Sequence, residues 1–291
     1  MQFRANPHDF PRDGSGSHWI RILPLLLILF FLLGCDNKPL YLNVPYVTTP
    51  DFVVDRMLSV TQVDSGDYVI DLGSGDGRIV IAAAKRGAVG HGVDIDPERV
   101  EEAKINAESA GVSDRVLFLR ENIFRTEFSQ ASVVTMFLLT TINEQLRPKL
   151  LDELRPGTRV VSHKFAMGDW VPDRHIALAG PSATTHEIFM WIIPAKAEGT
   201  WYGQSENHEI VLNIDQTFQK ITTHVSLNTD SIEITHSKIR GNRLALTGTQ
   251  GDTRYQFRGV IENDTLTGYI QQHKPAGSSI EKIQFIKDSD R

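Results

Sequence analysis

Val69-Ile70-Asp71-Leu72-Gly73-Ser74-Gly75-Asp76-Gly77-Arg78 reads as a strand that ends in an acid, a glycine-rich turn and the opening of a helix. The helix is the apolar stretch Ile79-Val80-Ile81-Ala82-Ala83-Ala84. Glycines let the backbone take positive φ and pass close under a ligand, because they carry no Cβ. A helix amino end adds N–H groups that favour a carboxylate or a phosphate. The run therefore marks a site for a nucleotide-type cofactor in an α/β fold.

The spacing selects among cofactors. A dinucleotide fingerprint is G-x-G-x-x-G. Here the glycines are Gly73, Gly75 and Gly77, and Arg78 stands where the last fingerprint glycine belongs. Asp71 comes two residues before the first glycine. A carboxylate at a strand tip is a poor neighbour for a pyrophosphate and a good one for an ammonium group. S-adenosylmethionine (SAM) carries an ammonium, a carboxylate and a cationic sulfonium. The D-x-G-x-G-x-G pattern thus favours SAM over NAD, with Asp71, Gly73, Gly75, Asp76 and Gly77 as the first cofactor-binding candidates.

A second strand follows, Gly90-His91-Gly92-Val93-Asp94-Ile95-Asp96. Asp94 lies 23 residues after Asp71, close to where an acid binds ribose hydroxyls in nucleotide-binding α/β folds. Two such charge-assisted bonds contribute roughly 1.5–3 kcal/mol each. Ile95 joins Asp94 in the cofactor set. Asp96-Pro97-Glu98 starts a helix with the acid as N-cap and proline at the first helical position. After the third strand, Val116 to Leu119, Asn122 is placed to bond the adenine amine and Ile123 to pack on the ring. Each residue has an alternative reading: Asp71 or Asp94 capping backbone, Asn122 making an ordinary turn. The ordered set at these spacings points to a SAM site.

Three further stretches are more specific than the glycine turn. They are Val44-Pro45-Tyr46-Val47-Thr48-Thr49-Pro50, then Val133-Val134-Thr135-Met136-Phe137-Leu138-Leu139-Thr140-Thr141-Ile142-Asn143, and Leu146-Arg147-Pro148-Lys149-Leu150 through Leu154 to His163. With them, Val44 to about Pro194 resembles the seven-β-strand protein-lysine methyltransferases. That group includes archaeal enzymes of broad specificity and the mitochondrial enzymes that modify the ATP synthase c subunit. The resemblance implies a Rossmann-like seven-stranded class I methyltransferase sheet with an antiparallel strand near one edge. It also implies SAM as cofactor and methylation of a lysine ε-amine on a protein partner. Asp71, Gly73, Gly75 and Asp94 would contact the cofactor, and Tyr46 to Pro50 would fold over its methionine end as a lid. Phe137, Leu138 and the loop to Asn143 would line the methyl-donor channel, together with Tyr46 and Thr49. Tyr46, Asn143 and His163 are the catalytic candidates, although no strong general base is required. The residue after His163 is Lys164, where close relatives are expected to carry an acid.

The 291 residues allow about two domains, and a 41 % apolar, 23 % charged composition is ordinary for a globular chain. A net charge of −6 argues against a nucleic-acid partner. Residues 1–35 read as a polar head followed by the apolar run Ile22 to Leu33, which is too short to span a bilayer comfortably and fits an export signal. The run ends in Leu32-Leu33-Gly34-Cys35, and Cys35 is the only cysteine. This resembles a bacterial lipobox, so Cys35 is a lipidation candidate and the protein is expected to be membrane-anchored, in the cell envelope. Because SAM is made in the cytoplasm, the side of the membrane is left open.

Residues 36–48 read as a linker and 49–198 as the methyltransferase domain. From residue 199 to 291 the pattern changes to alternation, as in Glu209 to Ile214, with turn signals at Gly241-Asn242, Gly251-Asp252 and Asn263-Asp264. This is a small antiparallel meander or barrel with no legible chemistry. No metal-ligand spacing is visible, and His175 and His186 have no partner pattern. Two other functions compete with protein-lysine methylation: methylation of a small molecule, and an envelope lipoprotein whose nucleotide fold is an inert scaffold.

Overall fold

The computed structural model describes residues 46–205 and 208–288. Cys35 and the export-like segment lie outside the described residues.

A seven-stranded sheet comes first, with strand order β3-β2-β1-β4-β5-β7-β6. Its strands are β1 (Tyr68–Leu72), β2 (Val89–Asp94), β3 (Val116–Arg120), β4 (Val133–Met136), β5 (Arg159–His163), β6 (Arg174–Ala179) and β7 (Thr185–Ile192). β1 to β5 pair in parallel, and β7 runs antiparallel to both β5 and β6. The helices are α1 (Asp51–Val60), α2 (Arg78–Lys85), α3 (Pro97–Ser109) and α4 (Thr140–Glu153).

Successive side chains of a strand point to opposite faces. Along β1, Val69 faces a layer with Val53, Met57 and Leu58 of α1 and Ile79 of α2, whereas Ile70 and Leu72 face Leu146 and Leu150 of α4 and Trp191. Both faces are covered, which is why β1 and β4 read as nearly unbroken apolar runs. The tips of β1, β2, β4 and β5 therefore open on one edge, where ligands bind in open α/β sheets.

The second architecture is a closed eight-stranded antiparallel barrel. Its strands are β8 (Gly199–Ser205), β9 (His208–Thr217), β10 (Lys220–Leu227), β11 (Asp230–Arg240), β12 (Arg243–Gln250), β13 (Thr253–Glu262), β14 (Thr265–Lys274) and β15 (Gly277–Lys287). The strands follow one another around the wall, and β15 closes on β8 through Phe285↔Gly203, Ile286↔Tyr202 and Lys287↔Trp201. The turns at Gly241-Asn242, Gly251-Asp252 and Asn263-Asp264 join consecutive strands. One end of the barrel rests on the sheet domain. Ala195 N donates to Gly241 O at 2.8 Å, and Trp170 Nε1 donates to Gln219 Oε1 at 2.7 Å.

Some sequence boundaries shift. β2 stops at Asp94, because Asp96 leaves the strand to cap α3 and accepts from Glu98 N at 2.9 Å. α4 begins at Thr140, so the last residues of the loop expected to run to Asn143 are helical, and α1 begins at Asp51 directly behind Pro50. β6 has no sequence counterpart: it is an edge strand whose side chains are mostly exposed, so it carries little apolar alternation.

Candidate active site

The glycine turn is shaped from inside the protein. Gly73 N and Ser74 N both donate to Val93 O at 2.9 Å, and Gly77 N donates to Ser74 O at 2.9 Å. The turn's N–H groups at 73, 74, 75 and 77 are thus bonded within the fold. What the glycines provide is geometry. Gly77 caps α2 in the left-handed region at φ 80°, and a Cβ on it would lie 2.6 Å from Phe118 Cζ. Gly75, at φ 50°, lies directly beneath the ring of Tyr46. Leu138 packs on Gly73, 3.1 Å from where a Cβ would be.

Asp71 is buried at the end of β1 and accepts from Thr135 Oγ1 at 2.6 Å. Burial pushes its carboxyl up to about 7, against the pull of that hydroxyl. A carboxylate in this position gains most from a cation brought next to it. Asp94, at the tip of β2, accepts from Gly75 N at 2.9 Å through one oxygen and from Asp96 N at 3.0 Å through the other. It therefore does cap backbone, as its alternative reading allowed. A carboxylate has about four acceptor sites, so two protein bonds still leave capacity for a diol. Ile95 beside it is exposed. Asn122 makes an Asx turn, its Oδ1 accepting from Phe124 N at 2.9 Å, and that turn leaves its Nδ2 unused. Ile123 packs on the core beneath.

Asp76 is paired with Arg78. Arg78 Nε donates to its two oxygens at 3.0 and 3.1 Å, and Nη2 donates at 2.5 Å. Burial pushes the Asp76 carboxyl up, but the guanidinium outweighs it and holds the group below the usual carboxylate range. Arg78 Nη1 also donates to Thr49 O at 3.0 Å. Arg78 thus ties the turn to residues 46–50. In the sequence Arg78 stands out only as a departure from the dinucleotide fingerprint, and its position two residues after Asp76 is the available signal for this pairing.

The segment from Tyr46 to Pro50 crosses the edge of the sheet. The Arg99 guanidinium lies 4.8 Å from the centre of the Tyr46 ring. Thr49 is buried, and its hydroxyl lies 3.2 Å from His163 Nδ1. His163 Nε2 lies 3.0 Å from His186 Nδ1. Phe137 packs on His163 with ring centres 4.1 Å apart and stacks on Phe165 at 5.9 Å. Burial, then His186 and Lys164, depress His163 to about 4, so it is neutral near pH 7. His186 and His175, which show no partner pattern in the sequence, both have neighbours in the fold: His186 meets His163, and His175 Nε2 lies 2.5 Å from Glu187 Oε2. The register of the antiparallel β5–β7 pair, which the sequence does not specify, brings residues 163 and 186 together.

Asn143 lies behind this cluster. Its Nδ2 donates to Phe165 O at 3.1 Å and Ala166 O at 3.2 Å, and its buried Oδ1 has no partner among the described residues. It clasps the chain leaving β5. Lys164 holds a positive φ of 68° in that chain, and its N–H donates to Glu187 O at 2.6 Å. Among the described residues no group of three His, Cys, Asp or Glu is placed to hold a metal ion.

The donor set fits SAM. A buried acid faces the turn where an ammonium would sit, a second acid with spare acceptor capacity stands at β2, and Ile95 offers an apolar surface beside it. This strand order with an antiparallel β7, the acid-led glycine turn and the second acid define a class I SAM-dependent methyltransferase. Residues 71–174 match the ANTKMT methyltransferase domain. The chain is 48 % identical over 155 residues to a protein-lysine N-methyltransferase of Saccharolobus islandicus, covering 52 % of this chain and 94 % of that one. The chain belongs to this family of protein-lysine N-methyltransferases. It is 37 % identical over 160 residues to the adenine nucleotide translocase lysine N-methyltransferase of Mus musculus, covering 55 % of this chain and 68 % of that one. A solved structure described as an RNA methyltransferase from Salinibacter ruber, in complex with S-adenosyl-L-homocysteine, is 50 % identical with a TM-score of 0.49, covering 52 % of this chain and 95 % of that one.

Proposed function

We propose that this protein transfers a methyl group from SAM to the ε-amine of a lysine on a protein substrate. Membership of the protein-lysine N-methyltransferase family carries the reading. The site's chemistry agrees with it. When bound, SAM supplies an electrophilic methyl on a sulfonium. The acceptor must be a neutral amine aligned about 3–3.5 Å from that carbon. A free lysine is protonated, with a reference pKa of about 10.4. Phe137, Leu138 and the neutral His163 form apolar or uncharged surface at the tips of β4 and β5. Such surface disfavours an ammonium and lowers its pKa.

In this proposal Asp71, Gly73, Gly75, Asp76, Gly77, Asp94, Ile95, Asn122 and Ile123 form the cofactor site. Asp71 meets the ammonium, Asp94 the ribose, and Asn122 and Ile123 the adenine. Asp76 acts through Arg78 on the lid. Tyr46, Thr49, Phe137 and Leu138 line the channel. Residues 49–198 carry out the transfer, and 199–291 form a separate module. The N-terminal segment holds the enzyme at a membrane of the cell envelope through Cys35. No helix among the described residues is long and apolar enough to cross a membrane; the anchor reading rests on the apolar run Ile22 to Leu33 and on Cys35 in the sequence.

The test is mass spectrometry after incubation of the full chain with labelled SAM and envelope extracts. Methylated lysines on proteins support the proposal. Label on metabolites alone selects small-molecule methylation, and no label with no saturable SAM uptake selects an inert scaffold. An acylated Cys35 in protein purified from membranes supports the anchor, and an unmodified thiol overturns it.

A further inference from the structure

The outer wall of the barrel differs from one side to another. Side chains alternate between the two faces of each strand. On β15, Ile283 and Phe285 fill the interior, so Ser278, Ile280, Lys282, Gln284 and Ile286 point outward. On β14, Leu266 and Ile270 turn inward and Thr265, Thr267, Tyr269, Gln271 and His273 outward. On β8, Trp201 is buried and Thr200, Tyr202 and Gln204 point outward. These three strands are neighbours in the barrel, and none of their outward residues is acidic. Outward acids stand instead on β9 (Glu209 and Asp215), on β11 (Glu233) and at the base of β13 (Glu262), all exposed.

The same three strands gather the barrel's large exposed hydrophobic side chains. Tyr202, Tyr269, Ile280 and Ile286 are 46–68 % exposed. Tyr202 stands directly opposite Ile286. Tyr269 stands between Arg258 of β13 and Lys282 of β15 in one cross-strand row. Directly opposite side chains have Cβ atoms about 4.5–5.5 Å apart, and diagonal ones are within reach of an aromatic ring. Ile280, opposite Gln271, is diagonal to Tyr269. Arg258 and Lys282 are exposed, and neither has an ion pair or hydrogen bond among the described residues. Exposed apolar groups gathered in one place mark an interaction surface. Tyrosine beside Lys and Arg suits a lipid headgroup layer, where the ring spans the polar boundary and the cation meets phosphate.

We propose that the wall formed by β14, β15 and β8, with Arg258 of β13, lies on the surface of an anionic lipid bilayer. Ile280 and Ile286 enter the headgroup layer, the two tyrosines sit at its boundary, and Arg258 and Lys282 meet lipid phosphates. The proposal extends the membrane reading of the N-terminal segment and rests on it for a bilayer within reach. A single acyl chain gives only marginal membrane binding, and a basic surface beside it supplies the second contact. The wall is the outside of the barrel, so its occupancy is independent of the methyl-acceptor reading.

The experiment is co-sedimentation of the full chain with vesicles of phosphatidylcholine alone or with about 30 % phosphatidylglycerol, at about 0.1 M and about 1 M salt. Each Lys or Arg near an anionic surface contributes about fivefold, so partitioning at the lower salt is expected to be at least about tenfold stronger on the anionic vesicles. The gain is lost at about 1 M salt, where the screening length is about 3 Å. Arg258→Glu with Lys282→Glu removes most of the gain, and Ile280→Ser with Ile286→Ser weakens partitioning, while SAM affinity and the melting temperature stay unchanged. Tyr269→Trp shows a blue shift on anionic vesicles beyond that of the wild type. Equal partitioning on both vesicles, the full gain retained in the folded charge-reversed variant, or no added shift in Tyr269→Trp overturns the proposal. So does a chain that ignores vesicles and binds a single-stranded RNA oligomer through Arg258 and Lys282. If the charge-reversed variant does not fold, the serine variant decides. Acylation of Cys35 is read separately by mass, which distinguishes a failed anchor from a failed wall.

Discussion

The ring of Tyr46 lies on the Cα of Gly75, so closely that a Cβ at residue 75 would stand 2.4 Å from Tyr46 Cε2. The first element of the lid and the middle glycine of the cofactor turn are packed as one. Arg99 against the Tyr46 ring and Arg78 on Thr49 O brace the same segment from either side.

Gly75→Ala tests that packing. The new Cβ both displaces Tyr46 and must adopt a left-handed conformation that costs about 1–2 kcal/mol. SAM affinity is expected to fall by at least about tenfold, equivalent to 1.4 kcal/mol, in calorimetric titration. Tyr46→Ala leaves the turn intact and removes only the cover. It is expected to lower turnover more than SAM affinity. Equal losses of both would make Tyr46 an ordinary cofactor contact.

Asp94 serves the protein and the cofactor at once. Its carboxylate accepts from Gly75 N and Asp96 N, so Asp94→Ala removes two backbone bonds as well as the diol contact. SAM affinity is expected to fall by at least about tenfold, since a hydrogen bond to a charged group contributes about 1.5–3 kcal/mol. Asp94→Asn keeps an acceptor for one backbone bond. It is expected to retain more of the melting temperature than Asp94→Ala while still binding SAM weakly. An unchanged affinity in both variants would remove the ribose assignment.

Most of the sheet domain was legible because its signals are local. The acid-led glycine turn, Asp94 and the Asp96-Pro97-Glu98 cap each lie within a few residues of the element they define. The hairpin turns of the barrel were legible for the same reason. The Thr49–His163–His186 chain was not, because it joins three segments through lid placement and the β5–β7 register. Arg78 was legible only in part: its partner Asp76 is local, whereas its second partner, Thr49 O, is 29 residues away. Closure of the barrel rests on β15 meeting β8, a pairing that alternation alone does not specify.

The seat of the barrel on the sheet domain gives a stability prediction. Trp170 is fully buried, and its indole N–H is satisfied by Gln219 Oε1, while Gln219 Nε2 donates to Val171 O at 2.6 Å. Gln219→Ala leaves that N–H without its acceptor, which costs about 1–3 kcal/mol. The melting temperature is expected to fall, with SAM affinity at 25 °C unchanged. Gln219→Glu preserves the acceptor for Trp170 and is expected to recover part of the loss. Full stability in Gln219→Ala would show that the contact is not needed to seat the barrel.

Two buried groups oppose each other in the pH dependence of stability. His163 is depressed from 6.5 to about 4 in the folded protein, so between those values the unfolded chain binds more protons and stability rises with pH. Asp71 is raised from 3.8 to about 7, so across that window the folded protein binds more protons and stability falls as pH rises. In the wild type the two slopes offset each other between pH 4 and 6.5. Each substitution uncovers the other slope. His163→Asn is expected to lose stability as pH rises from 4 to 7, and Asp71→Asn to gain stability from pH 4 to 6.5. Each change is on the order of 1 kcal/mol or more, since a tenfold change in proton affinity corresponds to about 1.4 kcal/mol. Chemical denaturation at a series of pH values measures both. Asp71→Asn is also expected to raise stability at pH 8 while weakening SAM binding, because the burial that disfavours a carboxylate in the free enzyme is relieved only when a cation arrives. Parallel pH profiles for wild type and both variants would mean that neither group titrates abnormally.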